Sequence, residues 1–277
     1  MKFSVWSSYY YDLSPEDALR EFKDHGFNSC EISFEHAYVL MNRKDIKESG
    51  KEFREFAKDL DFEISQGHLS YEAKLCSVEG MEFLKKQIDL FQAMGVKNAV
   101  LHCDSLKWKN ADLTREEKIE ENYKALAEIL DYVKDSEMVI CLENLISTDF
   151  VNSVDGLMYF INRFNSKNLG ICLDTGHLNL SDKDQVNFIR KAGKHIKALH
   201  LADNEGARDQ HLMPYGCGGV DFISVITEMK KLDYQGLYNL EIPGERQAPL
   251  EILGYKLDYI KKMLEYMDKA TEQNGGK

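Results

Sequence analysis

Short runs of apolar and β-branched residues recur along the chain at uneven intervals of roughly thirty residues, and the segments between them carry helical periodicity. Eight such runs read as strands: KFSVW (2–6), SCEIS (29–33), FEISQGH (62–68), NAVLHCD (98–104), MVICLEN (138–144), LGICLD (169–174), IKALHL (196–201) and GLYNLEIP (236–243). Helix signals fill the gaps. Ser14-Pro15-Glu16-Asp17 supplies an N-cap and a first-turn proline, and Gly26 is a stop. Thr114-Arg115-Glu116-Glu117 has capping-box spacing ahead of an apolar face from Lys118 to Val133. The intervals 80–95, 152–165, 182–193, 221–232 and 249–268 read as helices in the same way.

Eight strands, each followed by a helix, predict a closed parallel (β/α)8 TIM barrel. An open doubly wound sheet is the alternative, because alternation alone does not close a barrel. No Pro-, Gly- or Ser-rich linker divides the chain, so one domain is expected over 1–270, with 271–277, TEQNGGK, as a disordered tail.

In such a barrel the C-terminal strand ends carry the active site, and here they are polar. The third run ends at His68, the fourth reaches His102, the fifth Glu143, the sixth Asp174 with His177 three residues on, the seventh His200 and the eighth Glu241. Asp209 and His211 follow in the long seventh loop. A lone strand-end histidine is more often a hydrogen-bonded core residue, and a lone carboxylate often caps the next helix. Six consecutive strands ending this way are different, because a buried, uncompensated carboxylate costs several kcal/mol. A shared cation removes that cost. Mixed His/Asp/Glu ligation without thiolates suits Mn2+ or Zn2+, with Co2+ and Mg2+ also acceptable. Glu31 is even-handed between core and barrel mouth. Trp6 and Trp108 could stack on a sugar or anchor loops. His25 reads as a helix C-terminus, His195 as the opposite rim, and RKDIKESGKEFREF as a solvated helix face.

A formal charge of −12 and a pI near 5.2 oppose broad binding to nucleic acid or an anionic membrane. The six cysteines form no C-x-x-C pair and read as small core residues of a reducing compartment. MKFSVWSSYY lacks the features of a signal peptide, so a cytoplasmic protein is expected, with a homo-oligomer left open.

Five stretches carry a resemblance: CLEN with Glu143, LDTGHLNL with Asp174 and His177, ALHLADN with His200, DQHLMPYGCGGVDF with Asp209 and His211, and NLEIPGE with Glu241. In this order they are similar to the xylose isomerase-like superfamily, which includes sugar isomerases, epimerases, inosose-processing enzymes and endonuclease IV. The resemblance implies one divalent ion held by Glu143, Asp174, His200 and Glu241. It also implies Glu143 and Glu241 as an acid/base pair working through an enediolate on a small carbohydrate or sugar phosphate. His68, His102, His177, Arg208, Asp209 and His211 are then second-metal or substrate-binding residues. Arg208 stands at a shifted spacing from the arginine of ketohexose epimerases. All nine ligand positions of endonuclease IV are matched too, which makes a zinc phosphodiesterase the alternative. HCD and LADNEGAR depart from the nuclease contexts. A metal-dependent dehydratase or lyase on a keto-sugar or inosose is the third reading.

Overall fold

The computed structural model describes residues 1–43, 45–109 and 112–274. Eight parallel strands close in chain order into one barrel: β1 (Lys2–Trp6), β2 (Ser29–Ile32), β3 (Glu63–His68), β4 (Asn98–Leu101), β5 (Val139–Glu143), β6 (Leu169–Asp174), β7 (Ile196–Leu201) and β8 (Leu237–Leu240). β1 pairs with both β2 and β8, so the sheet is not open. Outside lie α1 (Pro15–Asp24), α2 (Phe34–Met41), α3 (Ile46–Asp59), α4 (Val78–Met94), α5 (Arg115–Val133), α6 (Val154–Phe164), α7 (Thr175–Leu180), α8 (Gln185–Ala192), α9 (Phe222–Lys231) and α10 (Leu250–Asn274). The main hydrophobic core sits between these helices and the barrel. Among the described residues no helix is long and apolar enough to cross a membrane.

The local signals act as their chemistry requires. Ser14 Oγ accepts from the Asp17 amide with Pro15 in the first turn, and Thr114 and Glu117 cap α5 reciprocally. α4 ends at Gly95, whose φ of 86° suits a residue without Cβ. Two helices escape periodicity. α2 is mostly apolar, with Ala37 and Leu40 buried while Tyr38 and Val39 are exposed, so no polar stripe marks its outer face. α7 starts at the very residue after β6, leaving no loop to announce it. Residues 271–274, expected in the tail, belong to α10: Thr271 is buried and its hydroxyl donates to Met267 O (2.9 Å). Residues 275–277 lie outside the described residues.

Strand alternation builds the interior in two layers. Val100, Cys141, Cys172 and Ala198 form a compact apolar cluster of their own inside β4 to β7. On the other side Ser4 Oγ donates to Asn239 Oδ1 (2.7 Å) and Gln66 donates to Glu31. Two residues further along each strand stand Trp6, His68, His102, Glu143, Asp174, His200 and Glu241. The lower layer is therefore the floor on which the polar residues rest.

Gly67 shows how closely the outer layer fits. A Cβ there would lie 2.8 Å from Cε2 and Cζ of Phe91 on α4. Gly67→Ala should lower stability by about 1–3 kcal/mol, because an overpacked core must shift backbone or rotamers. Guanidinium unfolding checks this, and an unchanged midpoint would contradict the packing.

Candidate metal centre

At the mouth of the barrel the strand-end side chains meet. Single ligand atoms of Glu143, Asp174, His200 and Glu241 lie within 4.8 Å of one another, all four side chains buried. His68, His102 and Glu143 form a second such group. Glu143 joins the two: its Oε2 is 3.0 Å from His102 Nε2, 3.4 Å from His68 Nε2 and 3.5 Å from His200 Nδ1. On the far side Asp209 Oδ2 lies 3.2 Å from His177 Nε2 and 3.1 Å from His211 Nε2.

Backbone clasps hold these groups. Asn144, next to Glu143, accepts from the Asp174 amide through Oδ1 (2.8 Å) and donates through Nδ2 to the Asp174 carbonyl (2.9 Å). Asp174 in turn caps α7, its Oδ1 accepting from the His177 amide (2.6 Å). Thr175 Oγ1 donates to Ala202 O (2.7 Å) and accepts from Ala202 N (3.0 Å), tying α7 to the end of β7. The seventh loop is closed by a bridge between Asp203 and Leu212. His211 within this region takes a left-handed φ of 47°, a conformation that costs a non-glycine residue about 1–2 kcal/mol.

The histidines are oriented in one consistent way. Nδ1 of His68 donates to Leu69 O (2.7 Å), that of His177 to Asn144 O (2.9 Å) and that of His211 to Glu241 O (2.7 Å). Carbonyls only accept, so each of these nitrogens carries its proton and the neutral ring turns a lone pair the other way. His200 is reversed: Nε2 faces Glu31 Oε2 (2.9 Å) and Nδ1 faces the cluster. Each free nitrogen meets a carboxylate oxygen, an acceptor against an acceptor. Asp174 Oδ2, Asp209 Oδ1 and His200 Nδ1 are buried without hydrogen-bond partners among the described residues. Only positive charge reconciles these contacts, whether protons on the rings or a cation between them. A carboxylate or carbonyl behind an imidazole whose free nitrogen points inward is also the arrangement that orients metal-bound histidines. The residues fit a divalent ion.

The titration of these groups points the same way. Burial raises Asp174 from the ordinary 3.8 to about 7. Burial pushes Glu143 and Glu241 upward too, but the surrounding imidazoles outweigh it, leaving Glu143 well below its usual range and Glu241 at about 2. Burial opposes charging of His200, His177 and His211, yet neighbouring acidic groups raise the first two well above 6.5 and His211 to about 10. His68 is raised, while burial lowers His102.

The cluster floors a cavity of about 370 Å³ walled by Trp6, Tyr71 and Pro243. Nine of the ten residues expected from sequence converge here or in its ligand groups. Arg208 does not. The turn at 204–210, held by Gly206 N to Asn204 Oδ1 (3.0 Å) and Glu205 N to Gln210 Oε1 (3.0 Å), leaves it exposed on the loop, away from the cavity lining. Glu31 resolves inward, fully buried against His200. Trp6 lines the cavity, whereas Trp108 Nε1 donates to both oxygens of Asp104 (3.1 and 3.0 Å). Tyr71 and Asn144 were not anticipated. Asn144 stands beside Glu143 in CLEN, but a clasp on the next strand leaves no spacing to read.

A family model described as "Xylose isomerase-like TIM barrel" matches residues 19–268. Protein MJ1311 of Methanocaldococcus jannaschii, described as uncharacterized, is 26% identical over 284 residues, covering 98% of this chain and 94% of that protein. An L-ribulose 3-epimerase of Methylomonas sp. (strain DH-1) is 28% identical over 168 residues, 59% of this chain and 56% of the epimerase. A probable endonuclease 4 of Mycoplasmopsis synoviae (strain 53) is 29% identical over 189 residues, 58% of this chain and 66% of its own length. The chain thus spans less than two thirds of these last two. A crystal structure of a D-tagatose 3-epimerase-like protein superposes with a TM-score of 0.80 at 23% identity, covering 99% of both chains.

Metal loading should depend on pH with a definite sign. The His211 imidazolium stabilises the metal-free fold below pH 6.5, and that contribution fades as pH rises toward about 10. Asp174, raised to about 7, costs the metal-free fold stability as pH rises from 3.8. A divalent ion binds the deprotonated forms and releases protons. The melting-temperature gap between Mn2+-loaded and chelator-treated protein should therefore widen from about pH 6 to about pH 8. Differential scanning fluorimetry reads this, and a constant gap would contradict it.

Proposed function

The chain belongs to the xylose isomerase-like TIM barrel family, and from that premise we propose that it is a divalent-metal-dependent isomerase or epimerase of a small carbohydrate or sugar phosphate. The observation that carries this reading is that Glu143 and Glu241 both lie close to His200 Nδ1, at 3.5 and 3.2 Å, and both line a small aromatic-walled cavity. Glu143, Asp174, His200 and Glu241 would hold the ion, with Mn2+ or Zn2+ suiting the mixed nitrogen and oxygen donors. When bound, the ion supplies polarisation of a substrate carbonyl and its neighbouring hydroxyl.

The remaining work belongs to the side chains. Glu143 and Glu241 are both held in the ionised range, so either can accept the proton from the carbon beside the carbonyl. Return of a proton by the opposite glutamate inverts that carbon, and delivery to the adjacent carbon moves the carbonyl. Glu31 behind His200 fixes the ring so that Nδ1 faces the reaction site. Trp6 and Tyr71 offer flat apolar walls to a sugar ring. His177 and His211 are placed to hold substrate hydroxyls through the nitrogens that now meet Asp209. The L-ribulose 3-epimerase among the relatives supports this reading.

A second reading, a zinc phosphodiesterase of the endonuclease IV type, is favoured by one observation. The group His68/His102/Glu143 adjoins the central four as a place for a second ion, and His177 and His211 both face Asp209 on the far side. The probable endonuclease 4 among the relatives supports it, and the net charge of −12 speaks against duplex DNA.

Turnover of a ketose and ketose-phosphate panel in heavy water with Mn2+ should place solvent deuterium in the product, read by mass spectrometry. Glu143→Gln and Glu241→Gln should each lower that exchange by about 10²–10⁴-fold, the contribution of a positioned acid/base group. Exchange surviving in both variants would remove the mechanism. Metal analysis separates the two readings: three zincs per chain with cleavage of an abasic duplex and no deuterium uptake would establish the hydrolase instead.

A further inference from the structure

A second, larger space adjoins the inner cavity. It is a cleft of about 1060 Å³, and Tyr71 lines both. The Tyr71 ring stacks on His102 at 6.0 Å on the inner side and meets Phe34 edge-on at 4.6 Å on the outer side. One aromatic side chain is thus the shared wall of two compartments. The inner one lies at the small end of ligand pockets and the outer at the large end.

The outer lining is aromatic to an unusual degree. Tyr11, Phe34, Tyr38, Tyr71, Phe83 and Trp108 all face it, and Tyr38 and Tyr71 are each more than half exposed. Aromatic faces left in water stack well on the apolar face of a pyranose ring. Charge argues against an anionic occupant, because Glu35, Glu72 and Glu79 line the cleft beside Lys74 and Arg246. Arg246 is moreover laid over the Tyr11 ring at 4.1 Å, and Lys74 sits 5.4 Å from the Trp108 ring centre. These charged and hydroxyl-bearing groups, with Ser70 and Ser77, form a mixed donor and acceptor rim suited to neutral hydroxyls.

We propose that the substrate is a glycoside-extended sugar, whose reacting unit enters the inner cavity while a second, uncharged sugar ring stacks in the outer cleft beyond Tyr71. This rests on the carbohydrate reading of the site and adds the size and charge of what it accepts. A free monosaccharide fits within the inner cavity and leaves the aromatic cleft without a role.

Two measurements on the full chain test it, the first with diamagnetic Zn2+ and the second with Mn2+ in the site. In the first, saturation-transfer NMR with methyl β-maltoside, which has no free carbonyl, should show transfer to its ring protons, lost in Tyr38→Ala and in Phe83→Ala. In the second, kcat/KM for deuterium exchange into maltulose should exceed that into D-fructose by about tenfold or more, and either substitution should lower that ratio about tenfold. Absence of saturation transfer overturns the proposal, as does a ratio near one. Dimerisation lost in Tyr38→Ala, with no saccharide binding, would overturn it in favour of an interface between copies. If no ketose exchanges at all, the isomerase reading fails, and the first measurement still decides whether the cleft holds a sugar ring.

Discussion

The closed barrel obliges its mouth to take in more negative charge than an apolar interior tolerates. Glu31, Glu143, Asp174 and Glu241 are all buried there, and the last three face His200 Nδ1 on a ring whose Nε2 is already turned to Glu31. Coulombic attraction inside a low-dielectric pocket is strong only when opposite charges are present. Much of the local architecture answers that demand: the carbonyls behind the rings, the cap on α7, and the left-handed turn that brings His211 to Glu241. The site is an electrostatic problem first, and its capacity for chemistry follows from how the problem is solved.

The strand period explains why so much of this could be read from the chain. On β5, β6 and β7 the inward residues are Cys141 then Glu143, Cys172 then Asp174, Ala198 then His200. A carboxylate or imidazole that closes such a run must point where the apolar residue before last pointed. Glu31 gave no such signal, because β2 is short and its register with β3 shifts between Ser29 and Glu31. Arg208 failed for the opposite reason: its position was set by a turn within the loop, where Asn204, Glu205 and Gln210 fix the path through contacts that no periodicity encodes. α2 was invisible because a helix that shows apolar groups on both faces has no stripe, and the aromatic cleft it borders was invisible with it.

The inner cavity and the outer cleft are built from different parts of the fold. The inner one is built on strand ends, where hydrogen-bonded neighbours leave each group little freedom. The outer one is built on α2, on the loop after β3, on the start of α4 and on Trp108, all outside the strands. The candidate metal ligands are thus anchored to the sheet and the aromatic cleft to the periphery.

Asn144 carries an implication for how this position can drift. It gives one hydrogen bond and takes another, both to the backbone of a single residue of β6, Asp174. Aspartate of the same length has no donor when ionised, leucine has neither function, and glutamine is longer by a methylene. A substitution there therefore uncouples two neighbouring strands at their tips before it touches any candidate metal ligand.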